Sequence, residues 1–112
     1  MDVVKLLEHM VQQGASDLHL KVGSPPVNRI DGQLEPVQGD LLRPEDTEEI
    51  ARFLLPPHFG GNLPVIGSMD FSYSIPNCAR FRVNIFHQRG TFSLVLRVVR
   101  FDILDFESLE LP

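Results

Sequence analysis

From Met69 to Val99 the chain alternates apolar and polar residues in three successive runs, with only a few residues between them. Met69, Phe71, Tyr73 and Ile75 interleave with Asp70, Ser72 and Ser74. Phe81, Val83, Ile85 and His87 alternate with Arg80, Arg82, Asn84 and Phe86, and Phe92, Leu94 and Leu96 with Thr91, Ser93, Val95 and Arg97. A period of two sends alternate side chains to opposite faces of a strand. Connections this short allow only antiparallel neighbours. The three runs therefore predict an antiparallel meander with one buried and one wet face, turning at Pro76 to Ala79 and again near Arg89 and Gly90.

The earlier part of the chain supplies what covers the buried face. Asp2 caps a helix whose apolar positions Val3, Leu6, Leu7, Met10 and Val11 follow helical spacing, and Gly14 is placed to end it. Leu18 and Leu20 then alternate with Asp17, His19 and Lys21, a short half-buried strand that Pro25-Pro26 interrupts. Val27 to Ile30, Asp31-Gly32 and Gln33 to Val37 form a hairpin, because Asp-Gly suits a turn whose two central residues both need positive φ. Pro44 opens a second helix, with Glu45, Asp46, Glu48 and Glu49 near its positive end. Ile50, Phe53 and Leu54 are expected on its core face, and Pro56-Pro57 stops it. Residues 58–67 read as a loop. The order α-β-β-β-α-β-β-β predicts an α+β domain: a curved antiparallel sheet of about six strands with two helices packed on it. Residues 1–101 form this domain, and residues 102–112 read as a linker.

Charge narrows the function classes. The chain of 112 residues carries a formal net charge of −5, so no general attraction to nucleic acid is expected. Yet between Asn77 and Phe101 stand five arginines and no acid. Cys78 is the only cysteine, which rules out an internal disulfide and suits a reducing cytosol. Met1-Asp2 opens an amphipathic stretch rather than a signal peptide, and no run approaches membrane-spanning length. His9, His19, His58 and His87 lack metal-ligand spacing, so no metal site is expected. Glu48 and Glu49 are a solvated helix face rather than an acid–base pair.

A turn near Arg89 or Gly90 sets Arg82 opposite Arg97 on the wet face, with Arg80 two residues along. Like charges facing one another across strands are destabilising. Two guanidiniums so placed make a phosphate clamp, since arginine binds phosphate bidentately and stays charged. The alternative is a solvated face whose charge is offset by Asp70 on the neighbouring strand. Asp17 and His19 share a face, with Ser16 expected on the other, so a nucleophile triad fails on geometry.

Gly14-Ala15-Ser16-Asp17-Leu18-His19-Leu20, then Pro26, Arg29-Ile30-Asp31-Gly32, Asp70-Phe71-Ser72 and Ala79-Arg80-Phe81-Arg82-Val83-Asn84 stand in an order that resembles the N-terminal domain of PilT-like type IV pilus retraction ATPases, members of the type II/IV secretion ATPase superfamily. The resemblance implies a PAS-like domain joined to a RecA-like ATPase domain in a hexameric ring. ATP and Mg²⁺ then belong to the RecA-like domain, and two arginines of the N-terminal domain reach the phosphates. By motif these match Arg82, in Arg82-Val83, and Arg97, in Leu96-Arg97. Arg80 and Arg29 are lesser nucleotide-binding candidates, and Asp17 and His19 lie toward the ATPase domain. The family further implies a cytoplasmic protein at the inner-membrane pilus motor platform, moving pilin subunits for twitching motility. The chain has no Walker A sequence and ends at Leu111-Pro112, about where the RecA-like domain should begin. Alone it is expected to hold no cofactor and to hydrolyse no ATP.

Two other readings stay open. A free-standing PAS-like sensor requires an apolar pocket between helix and sheet, where Phe71, Phe81, Phe92 and Leu94 are expected to pack instead. An RNA-binding sheet requires outward aromatics for base stacking, and alternation leaves only Phe86 outside.

Overall fold

The computed structural model describes residues 2–37, 39–59, 62–64 and 67–101. The segment read as a linker, 102–112, lies outside the described residues, as does part of the 58–67 loop. Two helices and six strands follow in the expected order: α1 (Val3–Gln12), β1 (Asp17–Leu20), β2 (Val27–Ile30), β3 (Gln33–Pro36), α2 (Pro44–Leu54), β4 (Gly67–Ile75), β5 (Ala79–Gln88) and β6 (Thr91–Phe101). A single turn of 3₁₀ helix, Pro57–Phe59, follows α2.

Each helix begins and ends for a local reason. The Asp2 carboxylate accepts from the Lys5 backbone N–H at 3.1 Å, satisfying one orphan donor of α1. At the other end Gly14 (φ 73°) donates to Val11 O and Ala15 to Met10 O, the paired bonds of a Schellman cap. Ala15 and Met10 are both buried there, which adds the apolar contact such caps favour. In α2 the Asp46 carboxylate turns back to accept from the Arg43 backbone N–H at 2.8 Å.

The sheet runs β3-β2-β1-β6-β5-β4, antiparallel at every junction. Its centre joins β1 to β6, strands from opposite ends of the described chain, whereas the outer pairs are hairpins. Asp31 and Gly32 both take positive φ (51° and 80°), as the first hairpin requires. Arg89 and Gly90 do the same between β5 and β6 (57° and 80°), so Gln88 pairs with Thr91. The β5–β6 register holds as far as Phe81 with Val98, then shifts at a bulge where Arg80 pairs with Arg100.

Both helices bury their apolar stripes on the same side of the sheet. Leu7 and Met10 from α1, Ile50, Ala51 and Leu54 from α2, and Leu42 between elements join Leu18, Leu20, Phe81, Val83, Ile85, Leu94 and Leu96 in one cluster. Burying such a side chain stabilises the fold by about 1.5–3 kcal/mol. Phe53 departs from the expectation: it is 53% exposed and rests against Tyr73, ring centroids 6.4 Å apart. The core face of α2 is instead Thr47, Ile50, Ala51 and Leu54, spaced i, i+3, i+4, i+7. At about 100° per residue Phe53 lies well off that stripe, and small Ala51 is fully buried on it. Phe71 is half-buried, its ring 6.1 Å from that of Phe59. Among the described residues, the other face of the sheet carries no helix.

Candidate functional site

Antiparallel register lines up side chains from successive strands into transverse rows. On the uncovered face one row reads Leu34, Arg29, Asp17, Arg97, Arg82 and Ser72, each opposite the next. Beside it, two residues along the strands, runs Pro36, Val27, His19, Val95, Asn84 and Asp70. The facing of Arg82 and Arg97, anticipated from the turn position, is what the β5–β6 ladder contains.

The two arginines differ in what holds them. Arg97 donates from Nε to Asp17 Oδ1 at 2.9 Å, and Ser16 Oγ donates to Asp17 Oδ2 at 2.8 Å. The Asp17 side chain is 8% exposed and that of Arg97 68%, so a buried carboxylate grips an arginine that otherwise faces solvent. Burial pushes the Asp17 carboxyl up. The hydrogen bonds from Arg97 and Ser16, with the charges of Arg97 and His19, outweigh it and hold the group below its ordinary value. Asp17 in turn raises Arg97 through the hydrogen bond and its charge. Arg82 makes no hydrogen bond or ion pair among the described residues. Asp70, the acid expected to offset the face, accepts from Asn84 Nδ2 at 3.0 Å and sits one row from Arg82. Between these groups lies a shallow depression of about 320 Å³, lined by Asp70, Arg82, Asn84, Val95 and Arg97.

The remaining candidates are more peripheral. Arg80 is exposed and donates from Nε to Ser74 Oγ at 3.3 Å. Arg29 is opposite Asp17 in the register, yet its Nη1 reaches back to Gly32 O at 3.4 Å, within its own hairpin. His19 lies in the second row, flanked by Val27 and Val95, with Nε2 buried and unpartnered among the described residues. Asp17 and His19 do share a face. Ser16, expected on the other, bonds the Asp17 carboxylate because it precedes β1 and strand alternation does not govern it. Phe86 is 41% exposed on the open face, whereas Phe81 and Phe92 are buried.

Sequence reasoning missed the Asp17–Arg97 pair. The hairpin points to Arg97 and the motif to Asp17, but their contact depends on β1 lying beside β6, a pairing 80 residues apart that no local pattern announces. The one available signal was the isolation of Asp17: a lone acid in a half-buried strand needs a cation, and the sequence offers Lys21, Arg29 and the arginines after residue 79 without choosing among them.

An open six-stranded antiparallel sheet with two helices on one face matches the N-terminal domain of the solved pilus retraction motor PilT, a type II/IV secretion ATPase. Within that class the chain is homologous to the N-terminal region of the pilus ATPases PilT and PilU. It is 33% identical over 109 residues to "Type IV pilus retractation ATPase PilT" of Pseudomonas aeruginosa, matching 97% of this chain and 32% of that protein. It is 34% identical over 112 residues to "Type IV pilus ATPase PilU" of the same organism, matching 100% of this chain and 29% of that one. The chain thus spans about a third of the length of these relatives. Among solved structures, the pilus retraction motor PilT with bound ADP superposes with a TM-score of 0.76 at 35% identity, over 87% of this chain and 29% of that one. The Legionella pneumophila ATPase DotB shares the fold, with a TM-score of 0.68 at 22% identity, over 87% of this chain and 28% of that one. No protein-family model matches the chain. No helix among the described residues is long and apolar enough to cross a membrane.

Proposed function

We propose that this domain lends Arg82 and Arg97 to the phosphates of ATP held by an adjoining RecA-like domain, in a hexameric, cytoplasmic pilus-retraction ATPase. The observation that carries the reading is the facing pair itself, with Arg82 unpaired among the described residues and Asp70 committed to Asn84. Two cations opposite one another on an uncovered sheet face make sense if an anion comes between them. The ADP named for the PilT structure is support for a nucleotide as that anion.

In this reading the RecA-like neighbour holds the triphosphate and its Mg²⁺, which supplies further charge neutralisation there. Arg82 and Arg97 stabilise the charge that spreads over the phosphate oxygens during transfer. Arg80 and Arg29 flank the pair and add to the local field. His19, with its unpartnered Nε2, belongs to the surface that meets the neighbour. Rocking of this domain against the ring would pass hydrolysis on to the inner-membrane motor platform. The sensor reading is less favoured because Leu7, Met10, Ile50, Leu54, Phe81 and Leu94 fill the space between helices and sheet, each 1% exposed or less.

The test is Arg82→Ala and Arg97→Ala in the full-length protein. Each should lower ATP turnover by about 10³-fold or more, the scale of an arginine finger, while nucleotide still binds. Unchanged turnover in both variants would refute the proposal.

A further inference from the structure

Of the three side-chain groups at the centre of the row, Asp17 is the one that no phosphate reading needs as a ligand. It is anionic, its side chain is 8% exposed, and a second group, Ser16 Oγ, fixes its far oxygen at 2.8 Å. Its near oxygen takes Arg97 at Nε, 2.9 Å away, and no described residue accepts from Nη1 or Nη2 of that guanidinium. A guanidinium offers five N–H donors in a planar fork. Held at Nε, it keeps its terminal edge free, the edge that meets two oxygens of a phosphate side by side. Arg29, across β1 on the other side, could have taken the carboxylate but is engaged with Gly32 O.

We propose that Asp17 is the positioning residue for Arg97. It grips the guanidinium from beneath at Nε and presents the Nη1/Nη2 edge to an oxyanion above the sheet. This rests on the phosphate reading of the Arg82–Arg97 pair and adds a division of labour to it. Arg97 is a fixed donor whose ordering is complete before ligand arrives. Arg82 has no such anchor and is ordered only on binding. Ser16 completes the device by holding the carboxylate plane. The Ser-Asp pair that resembled a fragment of a nucleophile triad thus acts on an arginine instead of a substrate carbonyl.

The test uses the 112-residue chain, ¹⁵N-labelled at arginine side chains, with inorganic tripolyphosphate as probe. In the wild type one Nε–H signal, assigned to Arg97 by its loss in Arg97→Lys, should exchange slowly with water, and tripolyphosphate should shift the signals of Arg97 and Arg82. Asp17→Asn should abolish the slow exchange and weaken tripolyphosphate binding about three- to tenfold, the cost of ordering one long side chain at the moment of binding. The sign is informative, because deleting a negative charge beside an anion site would by Coulomb's law alone tighten it. Ser16→Ala keeps the charge and should weaken binding by a smaller factor, and Asp17→Glu should recover part of the loss. Unchanged Leu18 and Leu96 amide signals report an intact sheet; if Asp17→Asn perturbs them, Ser16→Ala decides. Binding that is equal or tighter in Asp17→Asn, or in Ser16→Ala if that variant must decide, overturns the anchor alone. If tripolyphosphate shifts no arginine signal in the wild type, the phosphate reading falls, and the anchor's purpose with it, whatever the exchange data show.

Discussion

Breaking the Asp17–Arg97 contact from its two ends should give unequal results, although the same bond is lost. Asp17→Ala releases an arginine whose side chain is already 68% exposed, so water takes over its donors at little cost. Arg97→Ala leaves the Asp17 carboxylate, 8% exposed in the intact fold, with only the Ser16 hydroxyl as partner. An under-satisfied buried polar group costs about 1–3 kcal/mol, and more when charged, so the stranded Asp17 should make Arg97→Ala the more damaging change. The pH dependence should invert as well. In the wild type Asp17 sits below its unfolded value, so its stabilising contribution is present above the unfolded pKa and is lost as pH falls through the folded one. The single largest influence on Asp17 is burial, which pushes upward; Arg97 supplies the strongest hydrogen bond and the strongest charge opposing it. Without Arg97 the carboxyl should move above its ordinary value, and stability should then fall as pH rises from the unfolded pKa through the new folded one. Urea unfolding followed by far-UV circular dichroism between pH 3 and pH 7 measures both effects. The double variant should resemble Asp17→Ala. Equal destabilisation by the two single changes, with parallel pH profiles, would show that Asp17 is solvated in the fold and that the reasoning fails.

Three further outcomes test other parts of the structure. Arg89→Gly should stabilise the domain by about 0.5–1 kcal/mol, because Arg89 holds φ at 57° in a turn that glycine adopts without strain; thermal melting checks it. Ile50→Ala should cost about 2–4 kcal/mol in urea unfolding, whereas Phe53→Ala, half-exposed beside Tyr73, should cost about 1 kcal/mol. Gly14→Ala meets no neighbouring atom within 4 Å but must adopt φ 73°, so the Schellman cap should weaken by about 1 kcal/mol, visible as faster amide exchange in α1.

Much of this domain is legible where the relevant interactions are local. Asp31-Gly32 announces its turn because only that backbone geometry tolerates the strand twist, and the run from Arg80 to Arg97 announces its faces because alternation fixes them. The pairing of Arg82 with Arg97 follows from the turn at Arg89 and Gly90 with no knowledge of the rest of the sheet. Phe53 departs from its reading because apolar character and spacing from Ile50 cannot tell which flank of a helix is buried; Ala51, which contributes little hydrophobicity, lies on the buried flank with Thr47, Ile50 and Leu54. The Asp17–Arg97 pair stays hidden because it joins residues 80 apart on β1 and β6, strands that no turn connects. Asp70 illustrates the same limit: it faces Asn84 rather than Arg82 by a register difference of two residues, which residue identity alone does not encode.

The seam between β1 and β6 has a kinetic corollary. A hairpin can bring Arg82 and Arg97 side by side within microseconds, but the carboxylate beneath Arg97 arrives only when the amino-terminal portion closes the gap. Loss of that closure, by a nick, an unfolded N-terminus or a trapped intermediate, leaves two loosely hinged cations on a half-built surface. Formation of the Asp17–Arg97 contact therefore reports that the two halves of the sheet have joined.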